Sequence, residues 1–327
     1  MTIDGADARD FDDAVLATPL EGGGWEIRVA IADVSHYVRP GSALDAEARK
    51  RGNSVYLPDR VVPMLPEQLS NDLCSLRENQ TRPCMAVKIN IAANGQKTAH
   101  QFYRGLMRSV AKLSYAEAQR AFDGECPAEF KHLNDDVLQP LWQAYQCMVQ
   151  ARERRQPLRI NRPERRIEMN DKGQITRIYT PPVLEAHKLI EEMMVSANVC
   201  AAETLEKAKR PLIYRVHDTP PDERVRALSD FLRSMNIKLS LGQTLLPQLF
   251  NGLMEQAAGQ PIAPTVSEAV LRTQAQAIYD VENIGHFGLN LGRYAHFTSP
   301  IRRYADLIVH RALISALKAG KDGQTEE

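Results

Sequence analysis

No charge of one sign predominates in this chain: 41 Lys and Arg balance 41 Asp and Glu, so the formal net charge is zero. Overall basicity therefore supplies no affinity for nucleic acid or anionic membranes, and any phosphate-binding surface must be local. Cysteine is sparse. The five present (Cys74, Cys84, Cys126, Cys147, Cys200) are odd in number and lack CxxC spacing, which argues against structural zinc and a disulfide framework and fits a reducing cytoplasm. No apolar run reaches the ~18 residues of a membrane span, and no signal peptide is recognisable. Internal repeats and low-complexity linkers are missing too. What remains is a globular composition, 43% hydrophobic and 25% charged over 327 residues, long enough for one large domain or two ordinary ones.

Against that neutral background one stretch is dense in a single chemistry. Thr2-Ile3-Asp4-Gly5-Ala6-Asp7-Ala8-Arg9-Asp10-Phe11-Asp12-Asp13-Ala14 holds Asp4, Asp10, Asp12 and Asp13 among small residues. Adjacent carboxylates repel, and holding several together calls for a compensating cation. A hard divalent ion with oxygen ligands is the usual one, and Mg²⁺ in such a setting accepts substrate phosphate oxygens. An EF-hand is excluded, because no aspartate here has a glycine at loop position six. The plainer alternative is a solvated acidic loop.

The remaining pattern is mixed. Glu26–Asp33 alternates with period two and predicts a half-buried strand with Ile27, Val29 and Ile31 on one face. Asp33-Val34-Ser35-His36 follows at its end, where sheets often place functional side chains. Gly22-Gly23-Gly24 can close a hairpin with Asp13–Ala17. Met85–Ile91 and Thr98–Met107 flank Asn94-Gly95, a strong hairpin turn. Ile167–Met169 and Ile175–Tyr179 flank Asp171-Lys172-Gly173. Ser42–Lys50, Tyr115–Phe122, Leu138–Arg155, Asp222–Met235 and Val266–Ala277 read as helices. Val183–Lys209 is the longest, with Leu189, Ile190, Met193, Met194, Ala197, Cys200 and Ala201 on one apolar face. Gly52–Pro66 carries three prolines and is expected to be an extended loop packed on the core, followed by a short helix or turn to Leu73. The polar tail 318–327 is expected to fray.

A second constellation lies far downstream: His296-Phe297-Thr298-Ser299-Pro300-Ile301-Arg302-Arg303-Tyr304-Ala305-Asp306-Leu307-Ile308-Val309-His310-Arg311. Ser299 suits a helix N-cap and Pro300 the first helical position. A helix so started would offer free backbone N–H groups beside Arg302 and Arg303, a good anion site. Arg302, Asp306 and His310 would share one face. The alternative is a surface helix with Asp306 paired to Arg302.

Both stretches resemble the signatures of the ribonuclease II / ribonuclease R family. TIDGADARDFDDA resembles its aspartate motif, and HFGLNLGRYAHFTSPIRRYADLIVHR its second signature. RGNSVYLPDRVVPMLPEQLSNDLCSLRENQTRP and HKLIEEMMVSANVCAAE read as family segments between them. The wording is closer to ribonuclease R than to ribonuclease II. The resemblance implies an α+β fold, with a curved, mostly antiparallel sheet wrapped by helices and one catalytic domain over residues 1–317. It implies a Mg²⁺-dependent (or Mn²⁺-dependent), processive 3′→5′ exoribonuclease acting on single-stranded RNA and releasing nucleoside 5′-monophosphates. By motif position, Asp4, Asp10 and Asp13 would hold metal, Asp12 would bind or activate water, and Arg302 would sit on the phosphate. Tyr56 would stack on terminal bases, while Tyr115, Glu191 and Arg303 would contact RNA.

Three departures from the family pattern stand out. Leu158-Arg159-Ile160-Asn161 occupies the region of a second stacking aromatic. The family's cold-shock and S1 domains are absent. The chain also stops before the last helices expected of the catalytic domain, so it is expected to be a shortened, cytoplasmic, monomeric form. A non-catalytic RNA-binding remnant and a deoxyribonuclease or phosphoesterase using the same metals are the rival readings.

Overall fold

The computed structural model describes residues 1–160, 165–170 and 172–323. The chain divides into two compact units: Met1–Ala151, Arg165–Ile213 and Ala295–Glu327 form the first, and Arg152–Glu164 with Tyr214–Tyr294 the second. Among the described residues no helix is long and apolar enough to cross a membrane, and the five cysteines are free thiols.

The first unit is built on an antiparallel sheet. β1 (Thr2–Asp4) lies outside it, while β2 (Asp13–Pro19) and β3 (Trp25–Ala32) pair directly through the glycine turn. Gly24 is required there: its φ is +89°, and a Cβ would lie 2.2 Å from the Ile91 carbonyl oxygen. Ile27, Val29 and Ile31 are fully buried, as their alternation predicts. α1 (Ala43–Arg51) starts where the Ser42 hydroxyl accepts the Asp45 N–H at 3.2 Å. β4 (Val55–Tyr56) and β5 (Val61–Val62) pair antiparallel. The extended, core-packed loop expected over Gly52–Pro66 is therefore a hairpin. Its arms satisfy each other's backbone, so Val55, Tyr56, Leu57, Val61 and Val62 stay exposed, and the core takes only Met64 and Leu65 from this segment.

β6 (Thr81–Ile91) and β7 (Lys97–Arg108) extend the sheet to the order β2-β3-β6-β7. β8 (Lys112–Ser114) runs parallel to β1, with Asp4 opposite Ser114. α2 (Tyr115–Phe122) follows at once, because Ser114 and Glu117 form a reciprocal capping box. After a short α3 (Lys131–Leu133) come α4 (Gln139–Arg155) and a ribbon of β9 (Arg166–Met169) and β10 (Ile175–Tyr179). Asp171 of the expected turn lies outside the described residues. α5 (Glu185–Lys207) packs its apolar face on β3, β6 and α2, with Leu189, Met193, Ala197, Cys200 and Ala201 fully buried.

The second unit contains β11 (Tyr214–Val216), α6 (Asp222–Arg233), α7 (Pro247–Ala257), α8 (Ala263–Thr273) and β12 (Ile278–Asp280). α7 has Pro at its start, and Phe250, Leu253 and Ala257 bury at helical spacing in a core with Leu228, Leu232, Val266 and Val270. Leu158 and Ile160 pack against that core. Arg159 pairs with Glu153 and donates its backbone N–H to Asn251. Where the family places a stacking aromatic, Arg159 and Ile160 are thus engaged within this unit, and Asn161 lies outside the described residues.

The chain returns to the first unit as α9 (Tyr304–Leu317), which packs on α5 and β7. Arg311 and the Tyr304 hydroxyl both bond Asp45 Oδ1, at 2.8 and 2.9 Å. The fraying expected from Lys318 does not apply to Ala319 and Asp322, since Arg104 of β7 grips the Asp322 carboxylate and the Ala319 carbonyl.

Candidate active site

The aspartates sit at strand ends and on the loop between them. Asp4 closes β1, Asp13 opens β2 opposite Ile31, and Gly5–Asp12 connects them. This loop is held from several sides. The Ser75 hydroxyl donates to the Arg9 carbonyl and accepts the Phe11 N–H, at 2.8 and 2.9 Å. Lys112 donates to the Ala8 carbonyl at 3.2 Å and covers the Phe11 ring. The Ala32 N–H reaches the Asp12 carbonyl at 2.8 Å. Phe11, between Asp10 and Asp12, is buried with Val34, Met64, Leu76 and Ile301. Burial of such a side chain contributes about 1.5–3 kcal/mol, so apolar packing fixes a loop whose charges oppose one another.

The two distant stretches meet at Asp12. Its Oδ1 accepts the Ile301 N–H at 2.9 Å, across 289 residues of sequence, and its Oδ2 lies 3.8 Å from Arg302 Nε. The helix expected to begin at Ser299 begins instead at Tyr304, with Arg303 as its cap residue. Ser299–Arg303 is a turn in which the Arg303 N–H returns to the Ser299 carbonyl at 3.0 Å. The expected free amides are thus occupied: Ile301 donates to Asp12 and Ser299 to Asp306. Asp306 pairs with Arg303, not Arg302, and His310 is buried and bonded to the Phe297 carbonyl. Arg302, 44% exposed, is the guanidinium left facing outward beside Asp12.

Electrostatics confirms one neighbourhood. Burial holds Asp12 well above the usual carboxylate range, opposed by the Ile301 N–H and Arg302 and reinforced by Asp13. Burial, then Asp4, pushes Asp13 up to about 7. Asp4 is raised by burial and, against the pull of the Gly5 N–H, by Asp10. Tyr56 stands 52% exposed on the β4–β5 hairpin, donating its hydroxyl to Asp10 Oδ2 at 3.2 Å. Tyr115 opens α2 and stacks on His187 of α5, centroids 4.0 Å apart. Burial and the nearby Asp4 and Asp13 raise its phenol. Glu191 is exposed one turn beyond His187 on α5.

The structure therefore gathers Asp4, Asp10, Asp12, Asp13, Arg302, Tyr56 and Tyr115 and turns Arg303 inward onto Asp306. Sequence reasoning paired Asp306 with Arg302 where the structure pairs it with Arg303, and it missed the Ile301 amide and His187, because backbone donors and ring stacks leave no signature in spacing. Among the described residues no three His, Cys, Asp or Glu side chains are gathered closely enough to hold a metal. The donor chemistry nonetheless fits a hard cation: Asp13 Oδ2 is buried without a hydrogen-bond partner, and burial raises the neighbouring Asp4 and Asp12 carboxyls, a cost that a cation with oxygen ligands would offset.

A sheet-and-helix domain whose aspartate loop meets an arginine turn defines a class, and the RNB domain family matches residues 1–319: the chain belongs to it. Ribonuclease R of Escherichia coli (strain K12) is 44% identical over 335 residues, an alignment covering 100% of this chain and 41% of that protein. The chain thus spans well under half the length of that curated relative. Mycoplasma genitalium RNase R, solved in complex with ribose-methylated single-stranded RNA, superposes with a TM-score of 0.92 at 30% identity, over 98% of this chain and 51% of that one. Yeast Ssd1, a pseudonuclease, shares the fold alone, with a TM-score of 0.77 at 18% identity over 100% of this chain and 40% of that one.

Proposed function

We propose that this chain is a divalent-metal-dependent, processive 3′→5′ exoribonuclease that hydrolyses single-stranded RNA to nucleoside 5′-monophosphates. The observation that carries the reading is the junction of Asp12 with Ile301 and Arg302, which sets a buried carboxylate and an outward guanidinium side by side. Asp4, Asp10 and Asp13 would hold the cation, Mg²⁺ or Mn²⁺, which when bound supplies charge neutralisation and Lewis-acid polarisation of the phosphate. Asp12 orients the attacking water and takes its proton, a task suited to a carboxylate of raised proton affinity. Water attacks phosphorus in line, and the 3′-oxygen of the penultimate nucleotide leaves and takes a proton from solvent. Arg302 stabilises charge developing on the phosphate oxygens. Tyr56 offers its exposed ring to the terminal base, worth about 1–3 kcal/mol, and its bond to Asp10 sets the ring's angle. Tyr115 and Glu191 line the approach from α2 and α5.

The test is release of 5′-monophosphates from the 3′ end of a labelled single-stranded RNA with Mg²⁺, against the same reaction in chelator. A DNA oligomer of the same sequence separates an RNase from a general phosphodiesterase, because only RNA carries the 2′-OH. RNA binding without metal-dependent cleavage would instead favour a non-catalytic RNA-binding chain, the reading that the shared fold of Ssd1 suggests.

A further inference from the structure

Asp306 has no solvent exposure, lies outside the aspartate loop, and spends its whole carboxylate on one turn. Oδ1 accepts the Ser299 N–H and Arg303 Nη2, each at 2.8 Å. Oδ2 accepts Arg303 Nε at 2.8 Å. Those bonds close the turn at both ends, on Ser299 and on Arg303. Between them the turn offers two groups to the site, the Ile301 N–H on Asp12 and the Arg302 side chain, whose Nη2 also donates to Ser299 Oγ at 3.1 Å. We infer that Asp306 is a positioning residue: its buried carboxylate locks the Ser299–Arg303 turn, so that the Ile301 amide fixes Asp12 and Arg302 faces the substrate phosphate. The inference rests on the hydrolytic reading of Asp12 and Arg302. It also gives Arg303 a different task from RNA contact, since its guanidinium fork is the counterpart of the Asp306 carboxylate.

Two readouts on the full chain separate the lock from the chemistry. Asp306→Asn preserves volume and one acceptor but turns the other oxygen into a donor facing Arg303 Nε. Hydrogen exchange of the Ser299 and Ile301 amides should quicken by about tenfold or more, with α9 still protected. In Mg²⁺-dependent cleavage of single-stranded RNA, kcat should fall by about 10²-fold with KM within about threefold, as expected when a catalytic group is displaced by a fraction of its reach. Arg303→Lys keeps the charge, removes the fork and leaves the Asp306 side chain itself unchanged. It should show both effects more weakly, and it decides the matter if Asp306→Asn does not fold. Unchanged exchange at Ser299 and Ile301 in the folded variants would overturn the lock. So would a raised KM at unchanged kcat in Arg303→Lys, which would make Arg303 a phosphate ligand. If the unmodified chain cleaves no RNA, the functional reading fails while the exchange experiment still judges the lock.

Discussion

Asp12→Asn should separate stability from turnover and move them in opposite directions. The carboxylate is 6% exposed and raised well above its ordinary pKa, chiefly by burial. The amide oxygen of Asn can still accept the Ile301 N–H, so the bond that joins the two halves of the site, worth about 1 kcal/mol, is retained. The partner charge lost is Arg302 at 3.8 Å, whose side chain is 44% exposed, and such solvated pairs contribute only about 0–1 kcal/mol. Relief of a buried, repelled carboxylate outweighs that loss and leaves a gain of roughly 1–2 kcal/mol in chelator at pH 8. At roughly 2–4 °C per kcal/mol, the melting temperature should rise by several degrees. Turnover should fall by about 10³-fold, since the variant cannot take a proton from the attacking water. Differential scanning calorimetry in EDTA and monophosphate release in Mg²⁺ measure the two quantities on one preparation. A melting temperature that drops together with activity would make Asp12 a structural anchor and refute the reasoning. Retained activity would remove it from the mechanism.

Three further outcomes follow from particular contacts. Tyr56→Ala should weaken binding of short single-stranded RNA by about 1–3 kcal/mol, whereas Tyr56→Phe, which removes only an exposed bond to Asp10, should cost less than about 1 kcal/mol; equal losses would discount stacking. In the second unit, burial and then His217 hold His286 down to about 4 from its ordinary 6.5. Between those values the unfolded chain binds more protons, so stability is fully present above 6.5 and is lost as pH falls through 4, by up to about 3 kcal/mol. Denaturant melts from pH 7.5 to 4 monitor this, and a flat profile for that unit contradicts it. Gly95→Ala would place a Cβ 1.9 Å from the Cys147 carbonyl oxygen at φ +79°. The variant should lose more than about 2 kcal/mol of stability, and a loss under about 0.5 kcal/mol in urea denaturation would show that the β6–β7 tip yields.

Local grammar made much of the fold readable. Ser114 and Glu117 announce α2 in four letters, and Asn94-Gly95 sets the β6–β7 register, because both signals are satisfied by neighbours in sequence. The same grammar misled at Ser299-Pro300. A serine before a proline is a sound helix start unless something else claims the backbone, and here Asp306 takes the Ser299 N–H and Asp12 the Ile301 N–H. Tertiary carboxylates outbid the helix, and the anion site expected from free amides became a carboxylate site with one outward arginine. The Gly52–Pro66 hairpin was hidden for a related reason: prolines suppress strand signals, yet a pair of two-residue arms lies between Pro58, Pro63 and the buried Ser54. α7 escaped notice because Asn251 and Gly252 interrupt its apolar rhythm, although Asn251 is buried there to bond the Pro157 carbonyl and the Arg159 N–H. The aspartates themselves were legible as a cluster, and their chemistry became specific only beside Arg302.

The hairpin that carries Tyr56 is stitched at its base to the turn that carries Arg302. The Ser54 N–H reaches the Arg302 carbonyl at 2.9 Å, the Tyr304 N–H reaches the Gly52 carbonyl at 2.8 Å, and Asn53 bridges Arg303 between them. The Ser54 hydroxyl binds the other leg through the Met64 N–H at 2.8 Å. Tilting the hairpin therefore pulls on the arginine's own backbone. In an exonuclease with these residues in the proposed roles, the surface that feels the last base and the charge that grips the bond to be cut form one caliper. Its two arms are joined by main-chain hydrogen bonds, from which the Tyr56 and Arg302 side chains project. Such a caliper measures a fixed step from the RNA end, the property a nuclease needs if every turn of its cycle is to remove a single nucleotide.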